Sequence, residues 1–250
     1  MKKIGLVFIA VVLTVSGFAQ KTADIGIWGG SSSYWGDIQE TPPIQTFNLN
    51  VGAYFRYNFN ARVALRTMFI TGNHSAEGMM EGVDWDFSKM AQDISVMMEI
   101  NYLKYIMGDR KTAFTPYIMA GLGVMYYPYT LAAQDIGQLS VINQRNPLVN
   151  PPTELNESVI APTIPFGFGI KFMLGERLGI GAEYQLRKLM NDKLDNLDDP
   201  LAFKKQGEEE VYKYTDFWHN NDWPGFLGIH LTYSINLDRK ACPAYDRKYW

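Results

Sequence analysis

From Phe47 onward the residues alternate in character. Phe47, Leu49, Val51, Ala53, Phe55 and Tyr57 fall on one face, and Asn48, Asn50, Gly52, Tyr54, Arg56 and Asn58 on the other. A period of two is the mark of a strand with unlike faces. The pattern recurs at Ile164, Phe166, Phe168, Ile170 and Phe172, and at Leu178, Ile180, Ala182, Tyr184 and Leu186. It returns last at Leu227, Ile229, Leu231, Tyr233 and Ile235. Eight strands are predicted, over residues 22–33, 46–58, 62–72, 93–104, 115–127, 163–174, 177–188 and 224–237. Most run roughly ten to thirteen residues, beyond the five or six usual in globular sheets and close to what a tilted bilayer crossing needs.

The connections carry a second pattern. Residues 57–62 and 174–177 are tight turns, and 105–114 is a medium turn around Gly108-Asp109-Arg110. The stretches 34–45, 73–92, 128–162 and 189–223 are long. Alternating short and long links are those of an outer-membrane barrel, with short periplasmic turns, long outside loops and both termini in the periplasm. The predicted fold class is all-β, an eight-stranded antiparallel transmembrane outer-membrane β-barrel over residues 20–237.

A soluble lipocalin-like barrel is also eight-stranded, but it turns its apolar face inward. Here the opposite face carries Arg56, Arg66, Glu99, Lys171, Glu183 and Arg187. Placed in a narrow lumen, these charges form a candidate network, because a buried charge must be paired or hydrated. An eight-stranded barrel is filled by its own side chains, so no wide pore is expected. Gly121, Gly123, Gly167 and Gly169 are expected to be small inward residues. Trp28, Tyr57, Tyr102, Tyr126, Tyr127 and Trp223 lie near strand ends and are expected to form interfacial girdles. Gly228, Leu231 and Tyr233 fit a terminal strand read by barrel-insertion machinery.

The N-terminus sets the compartment. Lys2 and Lys3, the apolar run from Ile4 to Val15, and small Gly17 and Ala19 before Gln20 read as a signal peptide over residues 1–19. That run is too short for a membrane helix. The single cysteine, Cys242, excludes a disulfide framework within the chain. The formal net charge of −3 argues against nucleic-acid partners.

Catalytic chemistry is thin. His74 and His219 are expected in outside loops and His230 in the lumen, with no metal-ligand spacing and no implied cofactor. Some outer-membrane enzymes place Ser, His and Asp near the outer rim, and His74 with Ser75, or His219 with Asp216, could be cast that way. The acidic stretch with Asp192, Asp195, Asp198 and Asp199 is expected to be a solvated loop, with a calcium site as the alternative. Met79, Met80, Met97 and Met98 are expected as loop or lipid contacts. The chain is read as no enzyme.

After the last strand, residues 238–250 form a basic and aromatic periplasmic tail. Cys242, Tyr245 and Trp250 are its candidate partner-binding residues. A lone cysteine in an oxidising compartment suits an intermolecular disulfide or a free thiol.

The run Ala161-Pro162-Thr163-Ile164-Pro165-Phe166-Gly167-Phe168-Gly169-Ile170-Lys171 resembles a barrel family of type IX secretion systems, the PorG-type outer-membrane component. Glu176-Arg177, Glu183, Arg187-Lys188, the strand from Tyr117 to Gly123 and the Cys242-Pro243-Ala244-Tyr245 tail extend the likeness. After strand seven, Asp192, Leu194 and Asp195 match the family's loop, while Lys193 replaces its aromatic residue. The resemblance implies a non-enzymatic component of protein secretion that docks a periplasmic ring lipoprotein and its ring partner. It further implies an outer-membrane location amid lipid. The alternative is a small outer-membrane channel or adhesion barrel unrelated to secretion.

Overall fold

The structure is a computed structural model, and it describes residues 22–35, 48–80, 83–108, 112–131, 155–191, 193–195, 203–204, 211–212 and 222–236. The strands are β1 (Thr22–Trp35), β2 (Asn48–Asn58), β3 (Val63–Met80), β4 (Val83–Asn101) and β5 (Phe114–Leu131). They continue with β6 (Leu155–Met173), β7 (Leu178–Leu189), β8 (Phe203–Lys204), β9 (Val211–Tyr212) and β10 (Trp223–Asn236). β8 and β9 pair only with each other. The other eight form an antiparallel ladder in the order β1-β10-β7-β6-β5-β4-β3-β2. β1 pairs with β2 on one side and with β10 on the other, so the hydrogen bonding is cyclic and the barrel closes. Among the described residues no helix is long and apolar enough to cross a membrane.

Parity decides what faces where. On β4, Ile94, Val96, Met98 and Ile100 point out and are exposed, while Asp93, Ser95, Met97 and Glu99 point in and are buried. The same inversion of a soluble protein holds at Ile118 and Leu122, which are 60% and 70% exposed. Apolar side chains clothe the outside and the charges are inside. From Gln92 on, the outward face of β4 is mixed, with exposed Met90 between polar Gln92 and Ser88. The apolar band from Tyr102 to Gln92 therefore stands about 25 Å tall for a strand tilted by about 40°.

Strand ends differ from expectation where side-chain contrast is lost. Residues 73–92 are no long loop. Residues 73–80 and 83–92 belong to the arms of a β3–β4 hairpin that pairs up to Met80↔Val83. His74 therefore lies on β3, buried in the interior opposite Lys89. β5 and β6 likewise pair out to Leu131↔Leu155, beyond the expected limits of 127 and 163. Both hairpins rise above the β4–β5 ladder, which ends at Gln92↔Tyr126.

The girdle expectation is corrected at two positions. Trp28 and Tyr127 are buried and point inward, and Trp28 packs edge-on against Phe226 at 6.2 Å. Tyr102 and Tyr126 do lie on the outside. Met97 is buried in the interior rather than in lipid or a loop, whereas Met98 is exposed. The expected signal peptide, the expected tail with Cys242, Tyr245 and Trp250, and Asp192, Asp198, Asp199, Asp216 and His219 lie outside the described residues.

Candidate functional site

The interior is the chemically distinctive part of the molecule. At the end that holds Thr22 and Asn236, Arg56 donates from Nε to Asp24 Oδ2 at 2.9 Å and from Nη1 to Glu99 Oε1 at 3.2 Å. Lys171 also donates to Glu99. Midway, Arg66 grips Glu183 with two bonds, Nη1 to Oε2 at 2.7 Å and Nη2 to Oε1 at 2.9 Å. The guanidinium lies over the Tyr54 ring, 4.0 Å from its centroid. Farther along, Gln185 Nε2 donates to Glu183 Oε1 at 2.5 Å, and its Oε1 accepts from Arg187 Nη2 at 2.7 Å. Arg187 Nε then reaches Asp93 Oδ1 at 3.1 Å.

Aromatic groups knit this column together. Tyr117 donates to Glu183. Having spent its one proton there, it can only accept from His230 Nε2, at 3.1 Å. His230 Nδ1 is then the acceptor facing the Tyr54 hydroxyl at 3.0 Å. Glycines make room for these rings. A Cβ on Gly181 would stand 2.3 Å from His230 Nε2, and one on Gly169 would stand 2.7 Å from the Tyr117 ring.

Every strand of the cyclic ladder contributes. Asp24 comes from β1, Arg56 from β2, Arg66 from β3, Glu99 from β4, Tyr117 from β5, Lys171 from β6, Glu183 from β7 and His230 from β10. Four carboxylates, Asp24, Asp93, Glu99 and Glu183, meet four cations, Arg56, Arg66, Lys171 and Arg187. Such pairing is what makes buried charge tolerable. All six residues singled out in the sequence stand in this network.

Asp24, Asp93, Tyr54 and Tyr117 were not singled out. A signal for two of them existed. The six candidates carry four positive and two negative charges, so a neutral lumen required two more acids on inward-parity positions.

The other end of the interior is closed by a loop. Leu194 and Asp195, just beyond β7, are buried. Leu194 N donates to Asp222 Oδ2 at 2.9 Å, and Lys89 Nζ donates to the Lys193 carbonyl at 2.9 Å. The Tyr34 hydroxyl reaches Asp195 Oδ2 at 2.8 Å and also bonds Asp222. This part of the acidic stretch is therefore folded into the mouth, not solvated. Among the described residues no group of three or more His, Cys, Asp or Glu side chains could hold a metal ion.

Closure of the ladder and the inverted faces define a small β-barrel protein with a filled, charge-paired interior. Within that class, the chain belongs to the family described as Domain of unknown function (DUF6089), whose model matches residues 2–244. No curated protein matches it. Among solved structures it is similar to Ail, the attachment invasion locus protein of Yersinia pestis, at 12% identity and a TM-score of 0.46 over 86% of this chain and 99% of that one. It is similar to Neisserial surface protein A at 7% identity and a TM-score of 0.46, over 85% and 96% of the two chains. OprG from Pseudomonas aeruginosa gives 11% and 0.44, over 89% and 99%. Neither the family description nor these three names a secretion machine.

Proposed function

We propose that the chain is a non-enzymatic outer-membrane β-barrel that holds a binding surface in the membrane rather than conducting solutes. One observation carries this reading: a neutral network fed by all eight strands fills the lumen inside a wall whose apolar side chains face out. An apolar exterior of that height suits lipid, and a column of hydrogen-bonded side chains crossing a narrow eight-stranded lumen suits an anchor better than a wide pore. The short-turn end, which holds Thr22 and Asn236, faces the periplasm, following the usual barrel topology.

The client in this reading is the periplasmic ring of a type IX secretion system, a ring lipoprotein and its partner. The sequence resemblance supports it, with Cys242, Tyr245 and Trp250 of the tail as contacts. A second reading is favoured by the hairpins β3–β4 and β5–β6, whose paired arms rise above the Gln92↔Tyr126 level. Those arms suit an adhesion-type barrel that binds at the outer surface. Gentle-detergent purification of the tagged chain, followed by mass spectrometry, separates the two. Stoichiometric ring proteins support secretion. Their absence, together with binding of the purified barrel to host-cell or matrix surfaces, supports adhesion. Steady single-channel conductance in planar bilayers would overturn both.

A further inference from the structure

The short-turn end of the barrel is a joined surface. Tyr105 N donates to the Ala61 carbonyl at 2.9 Å, tying the 102–108 turn to the 59–62 turn. At Gly108, with φ of +90°, a Cβ would lie 3.2 Å from the Glu176 carbonyl, so the same turn abuts the 174–177 turn. Tyr105 is buried beneath it, with Lys171 Nζ 5.2 Å from its ring centroid. The 102–108 turn therefore caps the lumen, and its neighbours brace it.

The charge on this platform is mostly positive. Arg62, Lys104 and Arg177 are exposed, against Glu176 alone among the described residues of the three turns. Arg62 Nη1 is fixed on the Tyr102 carbonyl at 2.5 Å, and Arg177 Nη1 lies 3.4 Å from the Tyr233 hydroxyl. The chain as a whole is acidic, at −3. The segment joining β7 to β10 is strongly so, with Glu208, Glu209 and Glu210 in a row.

We infer that these three turns form a preorganised basic platform that docks an acidic protein surface in the periplasm. The inference rests on the proposed orientation and names the chemistry of the partner. Several cations held on one rigid base favour complementary charge and speed its encounter. Lys104 sits on the turn that caps the lumen, away from the lipid-facing wall, which favours a protein over lipid phosphates.

The test uses the full chain in nanodiscs of neutral phosphatidylcholine, with fluorescent poly-glutamate as the probe and poly-lysine as its opposite. Poly-glutamate binding is expected to weaken about tenfold or more when Arg62, Lys104 and Arg177 are all changed to Glu. It should also fade as salt rises from about 0.05 M to 0.5 M, through screening, while poly-lysine binding does not weaken in the variant. Folding is checked by the heat-modifiable gel shift. Equal poly-glutamate binding by both proteins overturns the platform. Loss of binding in phosphatidylglycerol nanodiscs, with anionic lipid retained by the parent and not by the variant, assigns the cations to lipid and overturns it too. Poly-glutamate binding without ring co-purification would instead defeat only the secretion reading.

Discussion

Arg66 on β3 and Glu183 on β7 meet across the lumen in two hydrogen bonds of 2.7 and 2.9 Å, joining strands on opposite sides of the barrel. Neither side chain is exposed to solvent. Two parallel bonds from a planar guanidinium to a carboxylate fix geometry as well as charge.

Removing Glu183 leaves Arg66 underpaired, with Glu99 Oε2 at 3.8 Å as its remaining counter-charge. Glu183→Leu leaves Arg66 without its bidentate acceptor and deprives Tyr117 and Gln185 of theirs. The expected cost is about 3–5 kcal/mol. It should lower the temperature at which the unheated, fast-migrating gel form disappears. The double variant Arg66→Met with Glu183→Leu should recover part of the loss, because no charge is left alone. An unshifted transition in Glu183→Leu would mean that water reaches the site.

The mouth opposite the short turns carries a second consequence. Tyr34→Phe removes the hydroxyl that Asp195 and Asp222 share. Losing a hydrogen bond to a charged group costs about 1.5–3 kcal/mol. The Leu194 amide, which donates to Asp222, should then exchange with deuterium at least about tenfold faster, while the β7 amides hold. Unchanged protection at Leu194 would show that the loop is seated by other contacts.

The ring cradles predict a rescue. Gly181→Ala places a Cβ against His230, and it should lower thermal stability. His230→Ala in the same chain removes the nearer obstacle and leaves only the Ile170 carbonyl, 2.8 Å away, so the double variant should lose less than the two single losses added together. Such non-additivity is expected only of residues in contact. Additive losses would separate Gly181 from His230.

Alternation made most of this barrel legible. The ladder strands have one apolar and one polar face, so their existence, their number and the inward parity of Arg56, Arg66, Glu99, Lys171, Glu183 and Arg187 could be read directly. The β3–β4 arms could not. Past Gly72 the outward residues Asn73, Ser75 and Glu77 and the inward residues His74 and Ala76 show no consistent contrast. A strand standing in water on one face has no need of an apolar one.

Asp24 escaped because glycine and serine blur the alternation of β1. Asp93 escaped because it began a predicted strand, where parity had not yet been set. Trp28 and Tyr127 misled because residue type suggests an interface, while parity sends both inward. The burial of Leu194 and Asp195 had no local signal. It depends on Tyr34 and Asp222, which lie far away in sequence.

Orientation is the last prediction, and it bears on every reading of function. The short turns share one end with Thr22 and Asn236, and the paired arms of β3–β4 and β5–β6 share the other. Gly175 lies in the first set, exposed, with nothing within 4 Å of a Cβ built on it. Ser88 is exposed in the second set, on the outward face of β4. Single cysteines at these positions, in a Cys242→Ser background, should react differently with a membrane-impermeant maleimide on intact cells. Ser88→Cys should label without permeabilisation, and Gly175→Cys only after it. Both sites tolerate a thiol, because each side chain points away from the packed lumen. Labelling of Gly175→Cys on intact cells, with Ser88→Cys silent, would turn the barrel over. It would place the basic turns at the cell surface and leave the tail no periplasmic ring to meet.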